Sequence, residues 1–198
     1  MYMRTVERRG ALGEDEYRMK LLSGLHGRVI ELGAGSGNNF PFYPPTVEHV
    51  LAVEPESLLR SECAKNAAKA PVEVAVVDGV SGRLPADDGS IDAAVASLVL
   101  CSVPDQPRAL AELRRVLRPG GELRFYEHVI AHHPVAATLQ RVADAIFWPR
   151  LAGGCHMSRD TGAAFERAGF TLERCERFTF SPGPPVPPIP HILGVARR

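Results

Sequence analysis

The chain has 198 residues, a length that suits one domain with a sizeable core and is short for two. Lysine plus arginine and aspartate plus glutamate each number 23, and no segment gathers the basic residues that a phosphate-tracking surface needs, so we expect no nucleic-acid partner. The four cysteines are scattered without a Cys-x-x-Cys pair, which indicates reduced thiols and a cytoplasmic location. No apolar run reaches the roughly 20 residues of a membrane-spanning helix.

Strand-like and helix-like patterns alternate from residue 27 to about residue 129. Apolar, β-branched runs predict strands at 28–32, 49–53, 72–77, 91–99 and 122–129, and amphipathic segments predict helices at 56–68 and 106–117, the second capped by Asp105. The run 91–99 is nearly all apolar, as expected for a central strand covered by helices on both faces. This alternation predicts an α/β fold built from βαβ units.

The two ends of the chain have different patterns. Residues 1–26 hold a polar helix with an apolar stripe at Tyr17, Leu21, Leu22 and Leu25. Beyond Pro134, we expect helices at 135–148 and 158–169, a break at Gly153-Gly154, and strands at 171–180 and 192–196 joined by a stiff, proline-rich hairpin loop at 182–190. We therefore predict one domain over 1–198, with a cofactor-binding core at 27–129 and acceptor-side elements at 130–198.

Three glycines directly follow the first predicted strand. Gly33, Gly35 and Gly37 would let the chain turn tightly and bring backbone N–H groups close to a ligand, with no Cβ in the way. This arrangement is typical of a nucleotide-type site, although a tight turn from strand to helix also needs glycine for structural reasons alone.

Two carboxylates distinguish between the possible cofactors. Glu54 ends the second predicted strand, about 20 residues past the glycines, where an acid accepts hydrogen bonds from ribose hydroxyls. Glu31 precedes the glycines, where its charge would crowd a pyrophosphate but suits a ligand with a cationic amino-acid end and a sulfonium. The glycine spacing also departs from the G-x-G-x-x-G of dinucleotide folds. The sequence thus favours S-adenosylmethionine over NAD as the cofactor. An NAD-dependent oxidoreductase is the alternative class of protein.

Segment 31–37, Glu-Leu-Gly-Ala-Gly-Ser-Gly, resembles the first motif of class I S-adenosylmethionine-dependent methyltransferases. Glu54 resembles their ribose-binding acid, Asp78 their adenine-binding acid, and 113–121 the turn before their fifth strand. The resemblance implies a Rossmann-like doubly wound sheet in the order 3-2-1-4-5-7-6 with strand 7 antiparallel, S-adenosylhomocysteine as product, and no metal. It implies cofactor contacts from Glu31, Gly33, Ala34, Gly35, Gly37, Asn39, Glu54, Pro55, Asp78, Gly79, Leu98 and Cys101.

Further segments are similar to the thiol S-methyltransferase (methyltransferase-like 7) family, which is membrane-bound in animals. They are 39–45, 98–103, 127–129, 154–161 and 190–194. The family's hydrophobic N-terminal anchor has no counterpart in residues 1–25. The resemblance implies methylation of small alkyl thiols, while an oxygen, nitrogen or carbon acceptor, such as a phenol or quinone, and a non-catalytic binding protein stay open.

The acceptor side is expected where the fifth predicted strand ends. A thiol must lose its proton to become the reactive thiolate, and His128 at this strand end is the candidate base, with a structural histidine as the alternative. Trp148, Arg159 and His191 are candidate residues around a small, fairly apolar acceptor.

Histidine and cysteine pairs raise the question of a metal. Neither His132-His133 nor Cys155-His156 has a partner at a convincing ligand spacing, so no metal is predicted. Arsenic methylation, which would use several thiols, rests only on the widely separated Cys101, Cys155 and Cys175. The sequence gives no oligomeric state.

Overall fold

A seven-stranded sheet positions the loops that carry the predicted site residues. The computed structural model describes residues 13–181 and 188–198. The strands are β1 (Gly27–Leu32), β2 (Val47–Val53), β3 (Val74–Val77), β4 (Ile91–Ser97), β5 (Leu117–His128), β6 (Thr171–Phe180) and β7 (Ile189–Arg197). The helices are α1 (Asp15–Leu22), α2 (Ser57–Ala67), α3 (Gln106–Val116), α4 (Pro134–Ile146), α5 (Trp148–Leu151) and α6 (Thr161–Arg167), with a 3-10 turn at Phe40–Phe42.

The strand order confirms the expected topology. It is β3-β2-β1-β4-β5-β7-β6, with β1 to β5 parallel to one another and β7 antiparallel to both β5 and β6. The chain order reverses direction between β1 and β4, and ligands of such sheets bind in the crevice beyond the carboxyl ends of the strands at that point.

The sheet is buried on both faces, as the apolar run of β4 predicts. On one face, Leu110 and Phe165 from α3 and α6 pack in a cluster with Ile30 and Ala94. On the other face, Leu21, Leu22 and Leu25 at the N-terminal end pack with Val29 and Val95. Alternate residues of each central strand thus serve opposite clusters, which fixes where each strand ends relative to its neighbours.

Several predicted boundaries were wrong by a few residues. Strand β4 ends at Ser97 rather than 99, because Leu98 has φ of 56° and leaves the extended conformation. Strand β3 begins at Val74, two residues late. Strand β5 begins at Leu117, which pairs with Ile91 across an irregularity in register.

The C-terminal part also differs in detail. The helix predicted at 135–148 is two helices, because Phe147 departs from helical geometry between α4 and α5. Strand β7 begins at Ile189, so the predicted loop is shorter at that end, and its residues 182–187 lie outside the described part. Within the described ranges, no helix is both long enough and apolar enough to cross a membrane.

Helix α6 begins at Thr161 and not at Ser158. The Asp160 carboxylate accepts a hydrogen bond from the Ala163 N–H at 3.1 Å, whereas the Ser158 hydroxyl donates to Asp144. We expect Asp160→Ala to lower the free energy of unfolding by about 1 kcal/mol, as for other lost N-caps, in a urea titration. Asp160→Asn keeps a cap oxygen and should stay close to wild type; equal losses in both variants would contradict the capping role.

Candidate active site

The glycine turn, residues 33–37, leaves the carboxyl end of β1. Gly33 and Gly37 have φ of 62° and 84°, a region that disfavours residues with a side chain. A Cβ on Gly33 would lie 2.3 Å from Cγ2 of Val99, and one on Gly37 would lie 2.5 Å from the Phe40 ring. Both conformation and space therefore require glycine, and the turn stays close to the loop after β4.

Glu31, the last but one residue of β1, is a buried carboxylate. It accepts hydrogen bonds from Nδ2 of Asn39 and from the Tyr43 hydroxyl, each at 2.7 Å. Burial raises its pKa to about 7, against the opposing effects of these two bonds and of the Arg18 charge. Each carboxylate oxygen has a second acceptor position, so Glu31 can still accept from a cationic ligand.

Helix α1 adds a cation that the sequence pattern did not single out. Nη1 of Arg18 donates to Oδ1 of Asn39 at 2.8 Å and lies 3.4 Å from the Ser97 hydroxyl, and Nη2 pairs with Glu14 at 3.3 Å. Arg18 lies three and four residues before Leu21 and Leu22, so its spacing is that of the buried face of the helix, although an arginine side chain is ordinarily solvated. Its bonds place α1 beside the 3-10 turn and the end of β4.

Glu54 joins the glycine turn to the end of β2. Its carboxylate oxygens accept from the Gly35 N–H at 2.8 Å and from the Glu56 N–H at 2.9 Å. Pro55 beside it is exposed. Glu54 therefore helps to hold the turn, and each oxygen keeps a second acceptor position for a ligand hydroxyl.

Asp78 and Gly79 follow β3. The Asp78 side chain is 72% exposed and forms an ion pair with Arg60 at 3.2 Å. Both residues line a surface cavity of about 800 Å³, which extends toward Leu84 and the start of β4. Of the predicted site residues, Asp78 and Gly79 alone line this cavity.

The loop after β4 is held by a buried acid. Leu98 is the one non-glycine residue of the described chain with positive φ. Strained backbone of this kind concentrates at functional sites. Glu127 of β5 accepts from the backbone N–H groups of Val99, Leu100 and Cys101 at 3.0, 2.8 and 3.1 Å, and burial raises its pKa to about 7 despite these bonds. Glu127 lies in the resemblance segment 127–129, just before His128. That segment did not indicate that Glu127 holds the loop after β4.

Two cysteines meet the imidazole of His128 at the carboxyl end of β5. Nδ1 of His128 lies 3.2 Å from Sγ of Cys155 and 3.6 Å from Sγ of Cys101, and all three residues are buried. We call these residues the thiol–imidazole cluster. A hydrogen bond from Cys101 and the neighbouring His128 lower the pKa of Cys155, although burial opposes them, while Cys101 has a raised pKa. His128 and Cys101 thus meet as the strand order implies. The expectation that Cys101 and Cys155 are far apart was wrong, because both sulfur atoms lie beside the same imidazole.

The other predicted acceptor-side residues surround this cluster unequally. Trp148 lies beside Cys155, whose thiolate it helps to favour. The His191 ring lies 4.6 Å from that of His128, edge to face, and also stacks on Tyr126 and Phe178. Arg159 instead donates to the Leu100 carbonyl oxygen at 2.6 Å, so its guanidinium supports the loop after β4.

Comparison with known proteins identifies the family. A methyltransferase domain model matches residues 30–125. Human thiol S-methyltransferase TMT1B is 38% identical over 188 residues, which cover 90% of this chain and 75% of that protein. The chain belongs to the thiol S-methyltransferase family, among the S-adenosylmethionine-dependent methyltransferases. Human thiol S-methyltransferase TMT1A is 40% identical over 148 residues, covering 72% of this methyltransferase and 59% of the relative.

Solved structures of low identity share the fold of this methyltransferase. A geranyl diphosphate methyltransferase in complex with SAM superposes with a TM-score of 0.71 at 14% identity, over 94% of this chain and 84% of the other. An S-adenosylmethionine-dependent methyltransferase from Mesorhizobium loti has a TM-score of 0.64 at 22% identity, over 91% and 95%. The cofactor of the family is S-adenosylmethionine, which removes NAD as the rival.

Proposed function

We propose that this methyltransferase transfers a methyl group to the sulfur of a small, fairly apolar thiol, with His128 as the base. The observation that carries the proposal is the buried imidazole at the carboxyl end of β5, next to the strained loop after β4. The curated relatives at 38–40% identity are thiol S-methyltransferases by name. We also propose that the protein acts in the cytoplasm on a small molecule and not on nucleic acid.

The residues present fit the cofactor. We assign Glu31 to its ammonium group, since the carboxylate is buried and its charge is only partly offset by Arg18. The glycine turn allows close backbone approach, with Ala34 and Asn39 beside it. Glu54 and Pro55 would hold the ribose, Asp78 and Gly79 the adenine, and Leu98 and Cys101 the edge facing the acceptor. When bound, S-adenosylmethionine supplies an electrophilic methyl group on a sulfonium.

His128 accepts the proton that the acceptor thiol loses. Its Nδ1 faces the Cys155 sulfur at 3.2 Å, so a proton on Nδ1 donates toward that sulfur and leaves the Nε2 lone pair available, as the orienting partner of a catalytic histidine does. The acceptor sulfur would then bond to the methyl carbon as the bond between that carbon and the sulfonium breaks, with S-adenosylhomocysteine as the leaving group, and the proton on His128 passes to solvent. Trp148 and His191 provide flat, largely apolar surface on the acceptor side.

Replacing Glu54 tests the placement of the ribose. Glu54→Gln keeps one carbonyl oxygen and so retains part of its bonding, and we expect about fivefold weaker binding of S-adenosylhomocysteine by calorimetry. Glu56→Gln changes an exposed carboxylate two residues away and serves as the control. Equal weakening in both variants would contradict a specific contact.

An acceptor panel tests the reaction itself. The protein is incubated with S-adenosylmethionine and an alkyl thiol, an aryl thiol, a phenol, an amine or a quinol, and S-adenosylhomocysteine and the methylated product are both measured. We expect turnover with the thiols. Turnover with phenol or quinol alone would replace the acceptor in the proposal, and binding without any turnover would favour a non-catalytic role.

A further inference from the structure

The thiol–imidazole cluster has the dimensions of a metal site. Its two sulfur atoms and one ring nitrogen all lie within 4.8 Å of one another. A tetrahedral zinc ion, with bonds of about 2.3 Å to sulfur and about 2.0 Å to nitrogen, separates a sulfur from a nitrogen ligand by about 3.5 Å. The two sulfur–nitrogen distances here are 3.2 and 3.6 Å, so an ion fits with little movement.

The backbone holds the three ligands independently of any ion. Cys101 sits on the loop that three N–H bonds fasten to Glu127. The His156 N–H donates to the Cys101 carbonyl oxygen at 2.8 Å, which holds the segment of Cys155 against the same loop. His128 ends β5 and is fixed by the sheet. Such support for the ligands is what a preformed metal site requires.

We propose that Cys101, His128 and Cys155 bind a thiophilic divalent cation of the Zn²⁺ kind. Thiolate and imidazole ligands select such ions over magnesium or calcium, and three protein ligands leave a fourth position open. Binding displaces the thiol protons to solvent, and no electron is transferred. The other cysteines, Cys63 and Cys175, lie outside the cluster.

The bound ion also inhibits methyl transfer, a consequence that rests on the proposed function of His128 as the base. The methyl transfer proposed above uses no metal. A cation on Nδ1 of His128 places the ring proton on Nε2, because each nitrogen of a neutral imidazole carries either a proton or a free lone pair. His128 then has no lone pair with which to take the proton of the acceptor.

Cobalt titration tests the binding. The 198-residue chain, reduced with a phosphine, is titrated with Co²⁺, and we expect one equivalent to give thiolate-to-cobalt charge-transfer absorption and the intense visible bands of a four-coordinate ion. Cys101→Ser and Cys155→Ser should each weaken Zn²⁺ binding, measured by competition, by at least about 100-fold, beyond the range for residues that only orient ligands. Cys175→Ser, on exposed β6, should bind as wild type does.

A measurement on the unaltered protein guards against variants that fail to fold. X-ray absorption at the zinc edge should give two sulfur neighbours at about 2.3 Å and a nitrogen neighbour at about 2.0 Å. Absence of sulfur neighbours, or wild-type binding in both cysteine variants, would overturn the site.

An activity measurement separates this proposal from the proposed function. One equivalent of Zn²⁺ should lower kcat/KM for a monothiol acceptor at least about tenfold, and a chelator should restore it. An active protein that binds no zinc contradicts the metal site and leaves the proposed function standing. A protein that binds zinc through two sulfurs with unchanged activity contradicts the inhibition and the role of His128 as base.

Discussion

Replacing His128 with glutamine is expected to lower kcat for an alkyl thiol by about 10²- to 10⁴-fold, the usual range for a lost general base. The Kd for S-adenosylhomocysteine should change by less than about threefold, since the ring faces Cys101, Cys155 and His191 rather than the glycine turn. Steady-state kinetics and calorimetry on the same preparations check both values.

The acidity of the acceptor distinguishes a base from a structural histidine. An aryl thiol that is already ionised at the assay pH has no proton to lose, so His128→Gln should reduce its methylation far less than that of an alkyl thiol. A variant that only distorts the crevice would slow both acceptors alike. The ratio of the two kcat/KM losses is therefore the measurement that assigns the role.

The neighbouring histidine provides the matched control. His156 follows Cys155 directly, but its side chain is 40% exposed and lies near Asp144 rather than in the cluster. We expect His156→Gln to retain wild-type kcat. Loss of activity in this variant, with His128→Gln little affected, would move the base to the other side of Cys155.

The sheet could be predicted from sequence because its strands are buried on both faces. The apolar run of β4 predicts a central strand and not a surface strand, and the glycines locate the end of β1. The predicted strand ends were less accurate. Leu98 leaves β4 through a positive φ, which a leucine in the sequence does not indicate. Asp160 and Ser158 are both good caps by type, and only the use of Ser158 by Asp144 decides between them.

The site could be predicted only where its residues share a motif. Glu31 and the glycines lie together in sequence, and Glu54 follows at a known spacing. Cys155 lies 27 residues beyond His128 in the resemblance segment 154–161, but that segment forms no strand whose position in the sheet would place Cys155 beside His128. Arg18 has the spacing of the buried helix face, but its residue type indicated a solvated side chain. Contacts of this kind depend on how separate elements pack, which periodicity does not report.

Glu31→Gln is expected to weaken S-adenosylhomocysteine binding by about 10- to 100-fold at pH 7.5, the loss expected for a hydrogen bond to a charged group. The same variant should stabilise the ligand-free protein. Because the pKa of Glu31 is raised to about 7 by burial, the folded state holds the proton more tightly than the unfolded chain, and ionisation costs stability. This cost is absent below about pH 4.5, grows as the pH rises and is complete above about 7.

In thermal unfolding, the free energy of unfolding of Glu31→Gln should therefore exceed that of wild type by about 1–3 kcal/mol at pH 8 and by almost nothing at pH 4.5. Glutamine cannot ionise, although it replaces only one of the two acceptor oxygens that Asn39 and Tyr43 use. A variant that is destabilised at pH 8 would show that the carboxylate contributes more through its hydrogen bonds than its burial costs. The expected result is a protein that exchanges stability for cofactor affinity at one residue.

The pH dependence of binding follows from the same pKa. A cationic ligand requires the carboxylate, so affinity in wild type should rise about tenfold per pH unit below about 7 and level off above it, until the ligand's own ammonium group loses its proton at higher pH. Glu127 also has a pKa raised to about 7, and Tyr43→Phe tells the two acids apart. Removing the Tyr43 hydroxyl takes away a bond that lowers the pKa of Glu31, so the rising limb should move to higher pH if it belongs to Glu31 and stay in place if it belongs to Glu127.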